Sequence, residues 1–325
     1  MPVLDKPLAE LRSYRGINPR PADFDAFWTR ALAELDATDP APELVPSRVL
    51  LADGAEMFDL FFTGVGGARI YAKFLRPSRP VKTCPALLMF HGYAGHSGDW
   101  QDKLPYVGQG IAVAAMDCRG QGGRSEDVGA VRGNTHTGHI IRGLDGPPDK
   151  LLFRQIFLDT VQLARVVSGI EMVDPENLCC MGGSQGGALA IACAALEPRI
   201  RRCVSIFPFL SDYKRVWEMD LAKDAYAELR AYMRLFDPLH EREDEVFTKL
   251  GYIDIHHLAP RITARVLMAI TLMDNICPPS TQFAVYNAIT SEKDVVIYPD
   301  FGHEPLPGFS DRAFNYLTAR PSPRK

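Results

Sequence analysis

The order of apolar and polar positions divides the chain into three kinds of segment. Short, nearly continuous apolar runs occupy residues 85–93 (PALLMFHGY), 111–120 (IAVAAMDCRG), 177–183 (NLCCMGG), 202–209 (RCVSIFPF) and 265–274 (RVLMAITLMD), and a shorter one, DVVIYP, covers 294–299. Such runs suit strands of a parallel sheet buried on both faces. RIYAKFLRP, residues 69–77, instead alternates like a strand with one face toward water. Helical stretches lie between the runs, at 150–169, 185–196 and 309–319. Strand alternating with helix predicts an α/β architecture: an open, mostly parallel sheet covered on both sides.

Three segments fall outside that alternation. PADFDAFWTRALAEL sets Phe24, Phe27, Trp28, Ala31, Leu32 and Leu35 at helical spacing between prolines, which predicts an amphipathic helix laid on the core. Residues 121–148 are rich in glycine, and residues 220–260 are rich in charge and read as a helical insertion above the sheet. No repeat, low-complexity tract or linker divides the chain. The expectation is one domain over residues 1–325, with a helical extension over about residues 1–40.

Composition narrows the function. With 36 basic and 40 acidic residues the formal charge is −4, and neither sign forms a long run, so a nucleic-acid partner is not expected. The amino terminus carries charge within ten residues and lacks an apolar core, so it does not read as a secretory signal. No apolar run reaches membrane-spanning length, so no membrane partner is expected and the expected location is the cytoplasm. Of the seven cysteines, Cys179, Cys180 and Cys203 sit in strand-like runs and read as core thiols.

The chemistry is concentrated at MGGSQGGALA, residues 181–190. Gly182-Gly183-Ser184-Gln185-Gly186 fits G-x-S-x-G, and it stands between an apolar strand and a helix, the context in which this motif presents a nucleophilic serine. A hydroxyl needs a base, and the base an orienting group. In the α/β-hydrolase fold that uses this turn, the chain order is Ser, then Asp or Glu, then His. His303, in DFGHEP, is the histidine beyond the last apolar strand and is the expected base. Asp274, ending the run 265–274 just before a proline-rich stop, is the expected acid; Asp300 and Asp254 are its rivals. The backbone N–H groups of Gln185 and Tyr93 are the expected oxyanion donors, with Ile276 and Pro278 as walls of a small acyl pocket. His136 with His139, and His256 with His257, have no companions at metal-ligand spacing, so neither a metal nor a cofactor is expected. Arg119 reads as a tie between loops and Glu304 as a local anchor.

Eight blocks together resemble one family. DFDAFW, HGYAGHSGDW, DCRGQGG, TGHIIRGLD, GGSQGG, FPFLSDYKR, LMDNICPPST and YPDFGHE follow, from residue 23 to residue 304, the order of the signature blocks of carbohydrate esterase family 7. These are acetyl xylan esterases that are also cephalosporin C deacetylases. The resemblance places the RGQ, GxSQG and HE motifs on Arg119-Gly120-Gln121, Gly182–Gly186 and His303-Glu304. It implies Ser184, Asp274 and His303 as the triad and Tyr93 and Gln185 as oxyanion donors. It also implies a hexamer built as a trimer of dimers, with sites facing an inner cavity and TGHIIRGLD resembling an interface loop.

The expected function is therefore removal of acetyl groups from small substrates: acetylated xylo-oligosaccharides, other sugars and cephalosporin C. The competing readings are a general carboxylesterase or lipase, a peptidase-like hydrolase, and a binding module without catalysis. The charged 220–260 segment argues against an apolar lipase lid, the chain length argues against a gating peptidase domain, and the retained serine and histidine argue against a module without catalysis.

Overall fold

The computed structural model describes residues 4–79, 83–129 and 134–319; the first three residues of the amino-terminal segment and residues 130–133 of the glycine-rich stretch lie outside them. Nine strands are present among the described residues: β1 (Glu43–Pro46), β2 (Ala55–Thr63), β3 (Arg69–Pro77), β4 (Cys84–Phe90), β5 (Ala112–Met116), β6 (Val173–Gly183), β7 (Ile200–Ile206), β8 (Arg265–Thr271) and β9 (Lys293–Tyr298). They form one sheet in the order β1-β2-β3-β5-β4-β6-β7-β8-β9. β1, β2 and β3 run antiparallel to their neighbours, and every pair from β5 to β9 is parallel. This is the α/β-hydrolase arrangement.

Each face of the sheet is covered by helices. On one face the helices Phe24–Asp36, Leu152–Ser168, Gln185–Leu196 and Pro279–Ala288 pack into a buried cluster whose members run from Leu11 to Ile289. On the other, the helices Leu104–Gly108 and Phe309–Thr318 cover a smaller cluster with Leu87, Val113, Cys179 and Val204 from the strands. The amphipathic reading of the first long helix holds in detail. Phe24, Phe27, Trp28, Ala31 and Leu35 are buried, while Leu32 is only partly covered. The Trp28 indole stacks on Phe157 and donates its N–H to the Tyr252 carbonyl at 3.1 Å, fastening this helix to the body of the fold.

All seven cysteines are buried and unpaired. The 220–260 segment is helical as expected, with helices Ala227–Phe236, Glu243–Leu250 and Ile255–Leu258. The described part of 121–148 contains no strand and no α-helix. Two strands, β1 and β2, and the helix Pro279–Ala288 lie where the hydrophobic pattern predicts no element.

Candidate active site

The parallel strands deliver their carboxyl ends to one edge, and the candidate residues collect there. Ser184 follows β6 directly, with φ 55° and ψ −121°, a conformation that a non-glycine residue adopts only where its surroundings hold it. The flanking glycines make the turn possible. A Cβ on Gly182 would lie 2.4 Å from the Gly186 backbone, and one on Gly186 would lie 2.1 Å from the Phe90 carbonyl oxygen of β4. The Ser184 N–H donates to Ile206 of β7 at 2.9 Å, and its carbonyl accepts from Ala188 and Phe209, so the strained residue is pinned from three sides.

Asp274 is fully buried just after β8. Its Oδ1 accepts the backbone N–H groups of Ile276 (2.9 Å) and Cys277 (2.8 Å), and its Oδ2 faces Nδ1 of His303 at 2.8 Å. Thr271 and Gln282 approach the same Oδ2 at 3.3 and 3.4 Å. The His303 ring packs on Phe207, centroid to centroid 4.5 Å, and its loop is tied back by a Met273 N–H to Phe301 carbonyl bond of 3.0 Å. Cys277 stands beside the pair: its sulfur, an Asp274 carboxylate oxygen and a His303 ring nitrogen lie within 4.8 Å of one another. Burial pushes the Cys277 thiol well above its ordinary pKa, so it stays protonated beside the pair.

The rival acids fall elsewhere. Asp300 is exposed, and Asp254 is buried in a separate cluster, where its Oδ1 meets His256 Nδ1 at 2.6 Å and its Oδ2 accepts the Asp212 N–H. Here one expectation needs correction. The consecutive histidines do have a companion of ligand type, because the fold sets Asp254 beside His256 and His257 with ligand atoms within 4.8 Å. Sequence spacing hid it only in part, since Asp254 caps the short helix that carries both histidines. The cluster is accounted for by hydrogen bonds: His257 Nε2 meets the Asn18 carbonyl at 3.1 Å, and the neighbouring Asp212 accepts the Ile17 and Asn18 N–H groups.

The two expected oxyanion donors also sit at this edge. Among the described residues, neither the Tyr93 nor the Gln185 backbone N–H donates to a protein acceptor, whereas Ala94, next in the same loop, donates to Gln121 Oε1 at 3.0 Å. Gln121 and Gln185 pair amide to amide at 3.0 Å, both fully buried, which joins the two donor loops. His91 adds a second tie. Its Nε2 accepts the Cys118 N–H at 2.9 Å, and burial holds the imidazole below its ordinary pKa, in the neutral form that this bond needs. Sequence reasoning missed these ties, and also Phe207 and Cys277. The amide pair spans 64 residues and has no local signature.

Ile276 is partly exposed next to the acid, while Pro278 is buried and starts the helix Pro279–Ala288. Arg119 points away from the site, as its reading as a tie requires. Its guanidinium forms a bidentate pair with Asp159 of the helix Leu152–Ser168, at 2.6 and 2.7 Å, and donates to the Val65 carbonyl. Glu304 accepts the Gly302 N–H at 2.9 Å within its own loop.

Comparison with known proteins gives the family. The acetyl xylan esterase 1 of Thermoanaerobacterium sp. JW/SL YS485 is 58% identical and superposes with a TM-score of 0.94 over 97% of this chain and 98% of that one. An acetyl xylan esterase from Paenibacillus sp. R4 is 33% identical, with a TM-score of 0.91 over 97% and 99%. The acetyl esterase Axe7A of Xylanibacter ruminicola is 28% identical over 295 residues, covering 86% of this chain; the match spans 62% of that longer relative. Residues 1–320 match the family described as acetyl xylan esterase (AXE1), and with nearly the whole length matched the chain belongs to that family.

Proposed function

We propose that this chain is a serine esterase that removes acetyl groups from small acetylated substrates, with Ser184 as nucleophile, His303 as base and Asp274 as the acid that orients it. The observation that carries the reading is the 2.8 Å bond between buried Asp274 and His303 Nδ1, set beside a serine held at φ 55° on a glycine turn. A carboxylate on Nδ1 leaves Nε2 unprotonated and able to take the hydroxyl proton.

Ser184 Oγ attacks the acetyl carbonyl while His303 takes its proton, and the oxyanion is held by the Tyr93 and Gln185 N–H groups. The intermediate collapses as His303 protonates the leaving alcohol, giving an acetyl-serine. Water, deprotonated by the same histidine, then releases acetate. No step calls for a cofactor.

The acyl group is small in this reading, with Ile276 as a wall beside the acid and Pro278 as buried support behind it. The alcohol is broad: acetylated xylo-oligosaccharides, other sugars and cephalosporin C. We place the enzyme in the cytoplasm, a reading supported by seven free thiols, and as one domain that includes its amino-terminal helices. Among the described residues no helix is long and apolar enough to cross a membrane. Assembly as a hexamer, a trimer of dimers, is part of the same proposal.

The test is hydrolysis of 4-nitrophenyl acetate together with labelling by a serine-directed organophosphonate. Ser184→Ala is expected to lose turnover by on the order of 10⁴-fold or more, because triad members act as a unit, and to lose the label. Turnover close to wild type in that variant refutes the mechanism.

A further inference from the structure

Tyr93 matters to the reaction through its backbone, yet its side chain is the most heavily engaged in its loop. The phenol donates to Oε1 of Glu228, from the first turn of the helix Ala227–Phe236 in the charged insertion. The other oxygen of that carboxylate accepts the Ile140 N–H at 2.7 Å and the Ile141 N–H at 3.1 Å. Glu228 is only 7% exposed. The Tyr93 ring packs against His139 at 4.8 Å and edge-on to Phe209 at 5.6 Å, and Phe209 in turn donates its N–H to the Ser184 carbonyl.

Building on the esterase reading, we propose that Glu228 is a positioning residue for the oxyanion donor: its carboxylate fixes the Tyr93 ring and so the direction of the Tyr93 N–H. The main chain of the donor loop is already tied at its flanks, by His91 to Cys118 and by Ala94 to Gln121. The peptide that carries the Tyr93 N–H is also held at its carbonyl end, where Gly92 O accepts the Gly95 N–H at 3.1 Å and meets His91 Nδ1 at 2.7 Å. A ring clamped at its far end by Glu228 holds the residue from its other side as well. The same carboxylate holds the 140–141 backbone, so one buried charge from the insertion organises two loops beside the nucleophile. An oxyanion donor acts only when preorganised toward the developing charge, and a misplacement of about 1 Å can cost about a hundredfold.

The experiment compares Tyr93→Phe, Glu228→Gln and the double variant with wild type, on 4-nitrophenyl acetate and on methylboronic acid, which becomes tetrahedral on a catalytic serine. Each single variant is expected to lose between about tenfold and a hundredfold in kcat, with KM within about threefold and boronate affinity falling in parallel. The double variant is expected to match the worse single variant. Tyr93→Phe keeps the carboxylate and its two backbone donors but removes the phenol that donates to it and accepts the His139 N–H at 3.4 Å, so each variant's thermal unfolding is measured in parallel and kcat is compared at a temperature where every variant is fully folded. Single variants within twofold of wild type overturn the proposal. So do losses that multiply in the double variant, since they assign Glu228 to the 140–141 loop alone. Failure of the underlying reading has a different mark: Ser184→Ala that still turns over refutes the esterase mechanism, whereas an inactive Ser184→Ala beside unimpaired Tyr93→Phe and Glu228→Gln overturns only this inference.

Discussion

Asp274→Asn separates an orienting acid from a merely structural one, and the hydrogen bonds around it fix the outcome. An asparagine in the same rotamer has one oxygen and one amide nitrogen to place. The Oδ1 position faces two backbone donors, from Ile276 and Cys277, whereas the Oδ2 position faces His303 Nδ1, with the Gln282 amide nitrogen at 3.4 Å. Setting the NH₂ toward the backbone pair opposes two donors and orphans both. Setting it toward His303 keeps the loop intact and makes Nδ1 the acceptor. The second choice wins, so the imidazole takes the tautomer with its proton on Nε2, the nitrogen that should receive the serine proton. The wrong tautomer costs about 10⁴-fold in kcat in a serine triad, or about 5 kcal/mol of barrier. The loop donors remain satisfied, so unfolding by urea is expected at the wild-type midpoint. The assay is steady-state hydrolysis of 4-nitrophenyl acetate, with the exposed Asp300→Asn as control. Asp274→Asn within tenfold of wild type, or Asp300→Asn as the crippled variant, refutes the assignment.

Breaking the buried Arg119–Asp159 pair with Asp159→Asn is expected to destabilise the fold by about 3–5 kcal/mol, because the guanidinium is left uncompensated, while Arg119→Met with Asp159→Leu recovers most of that loss; urea unfolding decides, and a double variant as unstable as the single one refutes it. The kcat/KM for nitrophenyl esters is expected to fall steeply from acetyl to butyryl to octanoyl, since overfilling a rigid pocket costs about 1–3 kcal/mol where burying a methylene gains about 0.8. Equal or rising values with chain length refute the small acyl pocket. Light scattering is expected to give about six times the 36.0 kDa chain mass; a monomer at micromolar concentration refutes the hexamer.

What the sequence made legible, it made legible through local pattern. β4, β5 and β8 are buried on both faces along almost their whole length and therefore read as nearly continuous apolar runs, and β7 does so over its second half, from Cys203 to Ile206. β2 escaped because its buried residues, Met57, Leu60 and Phe62, break the two-residue period, and β1 because all four of its residues are exposed at the sheet edge. The helix Pro279–Ala288 escaped for a different reason. Prolines at 278 and 279 read as a strand stop, yet proline suits the first helical turn, where the missing N–H has no intrahelical partner to lose. Its buried residues also run without a break from Pro279 to Val285, so it carries no amphipathic stripe to read.

The candidate site divides along the same line. Ser184 stands in a motif, His303 follows the last strand and Asp274 ends one, so each is marked by the few residues around it. Their supports are not. Gln121 meets Gln185 across 64 residues, and Glu228 meets Tyr93 across 135. In the helix Ala227–Phe236, AELRAYMRLF, the glutamate sits among arginines in a segment that the sequence marks only as a charged helical insertion. Arg230 and Arg234 are exposed there, whereas Glu228 is buried because three donors, two of them backbone N–H groups, converge on its carboxylate. A buried carboxylate is tolerated where its lone pairs are filled. Convergence of that kind is a property of the assembled loops, so the residue that carries the charge can come from any distant segment the fold lays above them. The candidate triad was therefore legible in the chain, and the contacts that support it only in the fold.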